Sequence, residues 1–301
     1  MIKLLTHNDL DGITCGILAK HYLDDHIEVE YCSNNNIDES FEMALNGNYD
    51  EIWVTDLSIS KENTNKINWN SNVTLLDHHK SALWLNEYRF AKVRVVNEQG
   101  NPTCGAEMFY SYLVNRYKKP QTGFLSSGDI PVFVEKVRRY DTYEWVELED
   151  RDSKHLNDLL GIYGMYEFIE VTLKKFRNPK MELFTKFEKR LLEIRQHEIT
   201  RTIDYKASTM VRTKFEGYNV GVVFADKFTS EIGNALCSRN KDLDFIMMIS
   251  YSDIGLRGKN KVDLSEIAKK YGGGGHFNAA GFPINGKENI NMILENVYER
   301  F

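Results

Sequence analysis

Val73-Thr74-Leu75-Leu76-Asp77-His78-His79-Lys80 carries an apolar run straight into a carboxylate and two imidazoles. A buried strand emerging into a loop reads this way. Alone the stretch says little, because an Asp at a strand end can cap the next helix and paired histidines are common on surfaces. Two further segments repeat the arrangement. Ile2 to Leu5 leads into His7-Asn8-Asp9-Leu10-Asp11-Gly12, and Ile52-Trp53-Val54-Thr55 leads into Asp56. Three apolar strands thus end in metal-ligand chemistry.

Working outward, the N-terminal half alternates strand-like and helix-like segments. Strands are expected at 2–6, 29–32, 51–55, 72–76 and 91–96. Ile13, Ile17, Leu18 and Tyr22 fall at helical spacing, with Asp9 and Asp11 where carboxylates suit the positive helix end. Asn34 to Asn36 reads as a loop, and Ala106, Phe109, Tyr110, Leu113 and Tyr117 predict a helix over 104–117. Asp129 and Pro131 look like the cap and first turn of another, running to about Arg139 and delivering Asp141 just past its end. Strands joined by helix-length segments predict right-handed crossovers and a mostly parallel sheet. Ligands of such sheets bind beyond the carboxyl ends of the strands.

From about 150 to 206 strand-like runs vanish. Phe184, Phe187, Leu191 and Ile194 predict one longer amphipathic helix within a helical connector. Beyond it Val220–Phe224 and Phe245–Ile249 read as strands, and Ser230 to Cys237 as a helix capped by Thr229 or Ser230. Ser265 to Ala268 opens a helix that runs into Gly272-Gly273-Gly274-Gly275-His276. One glycine would end a helix; four suggest backbone amides free to approach an anion. His276 and Arg257 are the candidate side chains to hold a phosphate there.

The fold class is therefore α/β. Residues 1–150 form a metal-binding domain with a mostly parallel sheet and flanking helices. Residues 151–206 are the connector, and 207–301 a smaller α/β substrate domain, with the active site in the interdomain cleft. The 301 residues are 42% hydrophobic and 27% charged, as in soluble globular proteins. No apolar run is long enough to span a bilayer and no leader-like segment opens the chain, so the cytoplasm is the expected compartment. Cys15, Cys32, Cys104 and Cys237 are scattered, which argues against a zinc site or a disulfide framework. A net charge of −6 without a basic block disfavours a protein that tracks long nucleic acid, but not one acting on a short nucleotide.

His7, Asp9, Asp11, Asp56, His78 and Asp141 offer carboxylate oxygens and imidazole nitrogens without thiolate. That set suits Mn²⁺, Mg²⁺ or Co²⁺ better than structural zinc. In an extended loop Asp9 and Asp11 would project to one side. Asp56 could bridge two ions about 3.5–4 Å apart and so activate water for attack on a phosphorus centre. Each carboxylate alone is more readily a helix cap or surface group than a ligand, and His7 alone a satisfied loop histidine. Gathered at one sheet edge, they would repel each other without cations between them.

The motifs His7-Asn8-Asp9-Leu10-Asp11-Gly12, Asp56, Asp77-His78-His79 and Asp141, followed by Gly272 to His276, resemble the DHH phosphoesterase family with its C-terminal DHH-associated domain. The opening motif and single-chain layout are most similar to the NrnB-type oligoribonucleases, relatives of RecJ and NrnA. The resemblance implies that His7, Asp9 and Asp56 hold one manganese, and that Asp11, Asp56, His78 and Asp141 hold the second. Asp77 would orient a metal-site histidine and His79 would touch the scissile phosphate, while Arg257, Gly273, Gly274, Gly275 and His276 grip the far end of the substrate. The expected activity is removal of mononucleotides from very short RNA or DNA. The alternatives are hydrolysis of a cyclic (di)nucleotide, a 3′,5′-bisphosphonucleoside or pyrophosphate, and a binding protein with a dead site. The helical middle leaves a homodimer possible.

Overall fold

The computed structural model describes residues 1–67, 72–117, 130–178 and 182–284. Two compact units divide the chain, Met1–Leu192 and Glu193–Phe301. In the first, β1 (Ile2–His7), β2 (Ile27–Cys32), β3 (Glu51–Thr55), β4 (Val73–Asp77) and β5 (Ala91–Val93) form a sheet of order β2-β1-β3-β4-β5. All four pairings are parallel. The helices are α1 (Leu10–Leu23), α2 (Ile37–Leu45), α3 (Lys61–Lys66), α4 (Gly105–Tyr117), α5 (Ile130–Asp141), α6 (Glu144–Glu147), α7 (Arg151–Tyr163), α8 (Met165–Arg177) and α9 (Lys186–Ser208).

Successive strand residues feed opposite layers. Leu4, Trp53 and Leu76 pack in one core with residues of α1, α4, α5, α7 and α8. Leu5, Val54 and Leu75 pack in another with Ile37 and Phe41 of α2. Both sheet faces are covered, which is why these strands read as continuous apolar runs rather than alternating ones. The helices at 151–177 share the first unit's core, and the boundary between units falls within α9.

The strand expected at 91–96 stops at Val93. Beyond it Asn97 folds the chain back, its Oδ1 accepting from the amides of Gln99 and Asn101 at 3.1 and 3.0 Å. Only a bridge between Val96 and Pro102 continues the pairing. Asp141 is the last residue of α5 rather than one beyond it. Asp129, expected to cap that helix, lies outside the described residues.

The second unit contains β6 (Val211–Phe215), β7 (Tyr218–Phe224), α10 (Thr229–Arg239), β8 (Phe245–Ile249), β9 (Asp253–Gly258), α11 (Leu264–Lys270), β10 (Gly274–His276) and β11 (Ala279–Pro283). Its sheet has the order β10-β11-β9-β8-β7-β6, parallel between β7 and β8 and otherwise antiparallel. Neither Thr229 nor Ser230 caps α10. The helix starts after Phe228, whose φ of 57° is left-handed, with no side-chain cap bond. The Ser230 hydroxyl instead accepts from Arg257 at 3.0 Å.

Candidate active site

The carboxyl ends of β1, β3 and β4 lie side by side, so His7, Asp56 and Asp77 emerge at one sheet edge. Asp9 caps α1 by accepting from the Gly12 amide at 3.0 Å, and Asp11 lies inside that helix's first turn. The two carboxylates thus sit at the helix start where the sequence reading put them, with Asp11 inside the helix rather than in an extended loop. Gly12 permits this, since a Cβ there would sit 2.3 Å from the His7 carbonyl oxygen. Beneath, Thr55 donates to Thr6 at 2.8 Å and Thr6 to the Gly12 carbonyl at 3.0 Å, tying β3, β1 and α1 together.

Asp56 occupies the left-handed region at φ 57°, and the residue is 1% exposed. Backbone strain of this kind in a buried acid is characteristic of functional sites. His78 Nε2 lies 3.1 Å from Asp56 Oδ1 and 3.7 Å from both Asp11 Oδ2 and Asp141 Oδ2. On the other side His7 Nδ1 lies 2.8 Å from Asp9 Oδ2 and 3.8 Å from Asp56 Oδ2. Asp77 accepts from the His79 ring Nδ1 at 2.7 Å and from the amides of His78 and His79. Its bond with the His79 ring leaves that ring's Nε2 to face outward.

A contact that sequence reasoning missed fixes Asp11. The amides of Gly105 and Ala106, opening α4, donate to its two carboxylate oxygens at 2.6 and 2.8 Å. Free amides at a helix N-terminus suit an anion. The only signal was a glycine at the start of an expected helix.

Burial first, then the charges of Asp11 and Asp9, pushes Asp56 well above the usual carboxylate range and Asp141 up to about 8. Burial also lowers His78, favouring a neutral imidazole. A hydrogen bond to Asp9 raises His7, and one to Asp77 raises His79, in both cases against burial. Burial resists ionisation of Asp9 and Asp77, yet the paired histidines hold both below their ordinary value. Cys15 and Cys104 are buried and driven well above the usual thiol range, first by burial, then by Asp11. Neither cysteine belongs to a set of clustered ligand atoms among the described residues.

Ligand atoms within 4.8 Å of one another occur in the sets His7–Asp9–Asp56, Asp11–His78–Asp141 and Asp56–Asp77–His78–His79. Among the described residues, Asp56 Oδ2 and Asp77 Oδ2 are buried and accept no hydrogen bond. Orphaned carboxylate oxygens among crowded acids, beside a neutral imidazole, fit divalent cations: the donors are hard, and the charge they carry lacks compensation. The same crowding sets a pH dependence. Asp141, His7 and His79 hold protons in the folded chain above their ordinary values, so the folded state binds more protons than the unfolded one and loses stability as pH rises. His78 has the opposite sign, but its contribution is complete once pH passes its ordinary value of 6.5. With EDTA, Tm is expected to fall between about pH 6.5 and 8.5, and the Tm gain on adding Mn²⁺ to grow over that window. A metal-free Tm that rises across it would contradict the charge balance described here.

In the second unit, Ala279 pairs with Arg257 on one side and with His276 on the other. Residues directly opposite share a sheet face, so Arg257 and His276 lie on one face two strands apart, roughly 10 Å at the usual strand spacing. His276 is exposed and Arg257 half-buried. The glycine run is less open than expected. Gly272, at φ 77°, ends α11, and the Gly272 and Gly273 amides donate to the carbonyls of Lys269 and Ala268. Gly274 and Gly275 belong to the β10–β11 hairpin, where a Cβ on Gly275 would lie 2.5 Å from Ala280 Cα. Gly273 and Gly275 serve close packing, while a Cβ on Gly274 would meet open space; among the described residues β10 is the sheet's edge strand.

A cluster of histidines and aspartates on a parallel-sheet edge, joined in sequence to a small mixed-sheet unit, is the architecture of a phosphoesterase. The chain belongs to the DHH phosphoesterase family, and residues 217–301 match the model of the DHHA1 domain. Over its full length it is 34% identical to oligoribonuclease NrnB of Bacillus subtilis (strain 168), spanning 75% of that protein. It is 23% identical to a 3′,5′-cyclic-nucleotide phosphodiesterase of Helicobacter pylori (strain ATCC 700392 / 26695), covering 99% of this chain and 97% of that one. Its fold is similar to that of RecJ from Thermus thermophilus, solved in complex with Mn²⁺. The TM-score is 0.53 at 14% identity, covering 97% of this chain and 50% of RecJ. Among the described residues no helix is long and apolar enough to cross a membrane.

Proposed function

We propose that this chain is a divalent-metal-dependent phosphodiesterase that releases mononucleotides from very short oligonucleotides. The observation that carries the reading is Asp56, a strained and buried carboxylate with one oxygen facing His78 and the other nearer His7. His7, Asp9 and Asp56 would hold one ion, and Asp11, Asp56, His78 and Asp141 the second. Manganese is the first choice, with magnesium or cobalt as substitutes. Such ions would supply Lewis acidity toward the phosphoryl oxygens and the attacking water.

The chain's own groups do the rest. Asp77 holds His79 by its Nδ1, and that bond keeps the imidazole protonated above its ordinary value, so Nε2–H can donate to a phosphate oxygen. The Gly105 and Ala106 amides hold Asp11 in one orientation. In the second unit Arg257 and His276, on one sheet face, would bind a terminal phosphate. Support for an oligonucleotide substrate comes from the relative at 34% identity, named as an oligoribonuclease.

Mn²⁺-supplemented protein is expected to convert 5′- and 3′-labelled di- to pentanucleotides to mononucleotides in a product time course. Intact oligonucleotides alongside rapid hydrolysis of another phosphoester would refute the assignment. Arg257→Ala should raise KM for oligonucleotides by roughly 10- to 100-fold, the worth of a charge-assisted hydrogen bond. No change in KM would remove Arg257 from the site. A second reading keeps the chemistry but takes a cyclic nucleotide, and the full-length match to the Helicobacter phosphodiesterase favours it. Assaying cyclic nucleotides, bisphosphonucleosides and pyrophosphate side by side with oligonucleotides separates the two.

A further inference from the structure

Between β5 and α4 lies a cavity of about 390 Å³ that none of the metal-site residues lines. Its floor is apolar, from Leu76 and Met108, and Ser111 and Asn115 of α4 form one wall. Lys92 and Arg94 form the opposite wall. Both are exposed; Lys92 has no acidic partner among the described residues, and Arg94 only Glu98 at 3.7 Å. An exposed pair at that distance is worth little and yields to a stronger anion. The volume falls in the range of small-ligand sites. Glu98 and Glu107 also line the cavity, Glu107 with both oxygens taken by Asn97 and Thr103 and Glu98 only loosely beside Arg94. With those carboxylates so placed, an apolar floor, hydrogen-bonding amide and hydroxyl groups and two exposed cations match a nucleoside with an attached phosphate.

Residues that line the cavity are neighbours of the reacting centre along the chain. Leu76 immediately precedes Asp77, and the Arg94 amide donates to the Asp77 carbonyl at 3.0 Å. Thr103 is two residues from Gly105, whose amide holds Asp11. The remaining wall is preformed: Asn97 closes the 97–101 turn and donates to Glu107 of α4 at 3.1 Å, and Thr103 donates to the same carboxylate. Little ordering would accompany binding.

We propose that this cavity is the subsite for the nucleoside beyond the scissile phosphate, with the next phosphate of the chain held between Lys92 and Arg94. The proposal rests on the oligonucleotide reading above and names where the retained part of that substrate sits. A substrate ending at the scissile phosphate, such as a nucleoside 3′,5′-bisphosphate cleaved at its 3′-phosphate ester, does not reach it.

The test compares kcat/KM for a trinucleotide with kcat/KM for that bisphosphate, using full-length protein loaded with Mn²⁺. In the Lys92→Ala/Arg94→Ala variant the trinucleotide-to-bisphosphate ratio is expected to fall about tenfold, through KM rather than kcat. Loss of this phosphate contact should also flatten the slope of log KM against log salt by roughly 0.7. Ser111→Trp, which fills the cavity from the exposed face of α4, should lower the ratio similarly without altering charge. An unchanged ratio in both variants, with trinucleotide still cleaved by the wild type, overturns the subsite and leaves the function intact. A wild type that cleaves no oligonucleotide overturns the function itself.

Discussion

Asp56→Asn is expected to lower turnover by roughly 10³-fold or more while raising the stability of the metal-free protein. That exceeds the 10- to 100-fold typical of losing a partner one step removed from the metal, because Asp56 is the carboxylate shared between the two candidate ion positions. The opposite sign of the stability effect follows from the electrostatics. Burial and the neighbouring charges of Asp11 and Asp9 make an ionised Asp56 costly, and an amide removes that cost. Asn is chosen over Ala because Asn tolerates the left-handed backbone at this position. Activity, Tm in EDTA and the Tm gain on adding Mn²⁺ are the three readouts. Near-normal turnover, or a Tm gain equal to that of the wild type, would show that Asp56 is a structural acid.

Gly105→Ala sets two effects against each other. Helix propensity favours alanine by about 0.8–1 kcal/mol. Sterics oppose it: the new Cβ would lie 2.6 Å from Asp56 Cβ, 3.1 Å from Asp56 Cα and 3.0 Å from Asp11 Oδ2. Neither the buried Asp56 backbone nor the doubly hydrogen-bonded Asp11 can retreat cheaply, so the clash wins. Turnover should drop about 100-fold, the usual consequence of shifting reacting groups by about an ångström, and Tm should fall. If the Gly105→Ala variant is as active as the wild type and more stable, the α4 terminus does not fix the site.

Much of this site was readable from residue order because parallel sheets gather their strand ends. Leu5, Val54 and Leu76 mark three buried strands, and the acids and histidines after them had to meet at one edge. Asp141, from a helix 62 residues beyond His79, joins them by packing that no local pattern encodes; residue order placed it only at the end of an expected helix. The Gly105–Ala106 clamp was invisible for a related reason: it depends on α4 pointing its first turn at Asp11, a tertiary relation across 94 residues. The glycine run illustrates an over-reading. Four consecutive glycines looked like an open anion loop, whereas one ends a helix and others admit the close approach of β11. Cap assignment at Ser230 failed because its hydroxyl accepts from Arg257, a residue 27 positions away.

On the proposed function, His7, Asp9, Asp11, Asp56, His78 and Asp141 jointly seat a pair of catalytic cations. Anomalous diffraction at the manganese edge from an Mn²⁺-soaked crystal tests it most directly. Two peaks are expected per chain, one in contact with His7 and Asp9, the other with Asp11, His78 and Asp141, both touching Asp56. No peak among these side chains, or a single one that leaves Asp56 untouched, would contradict the account.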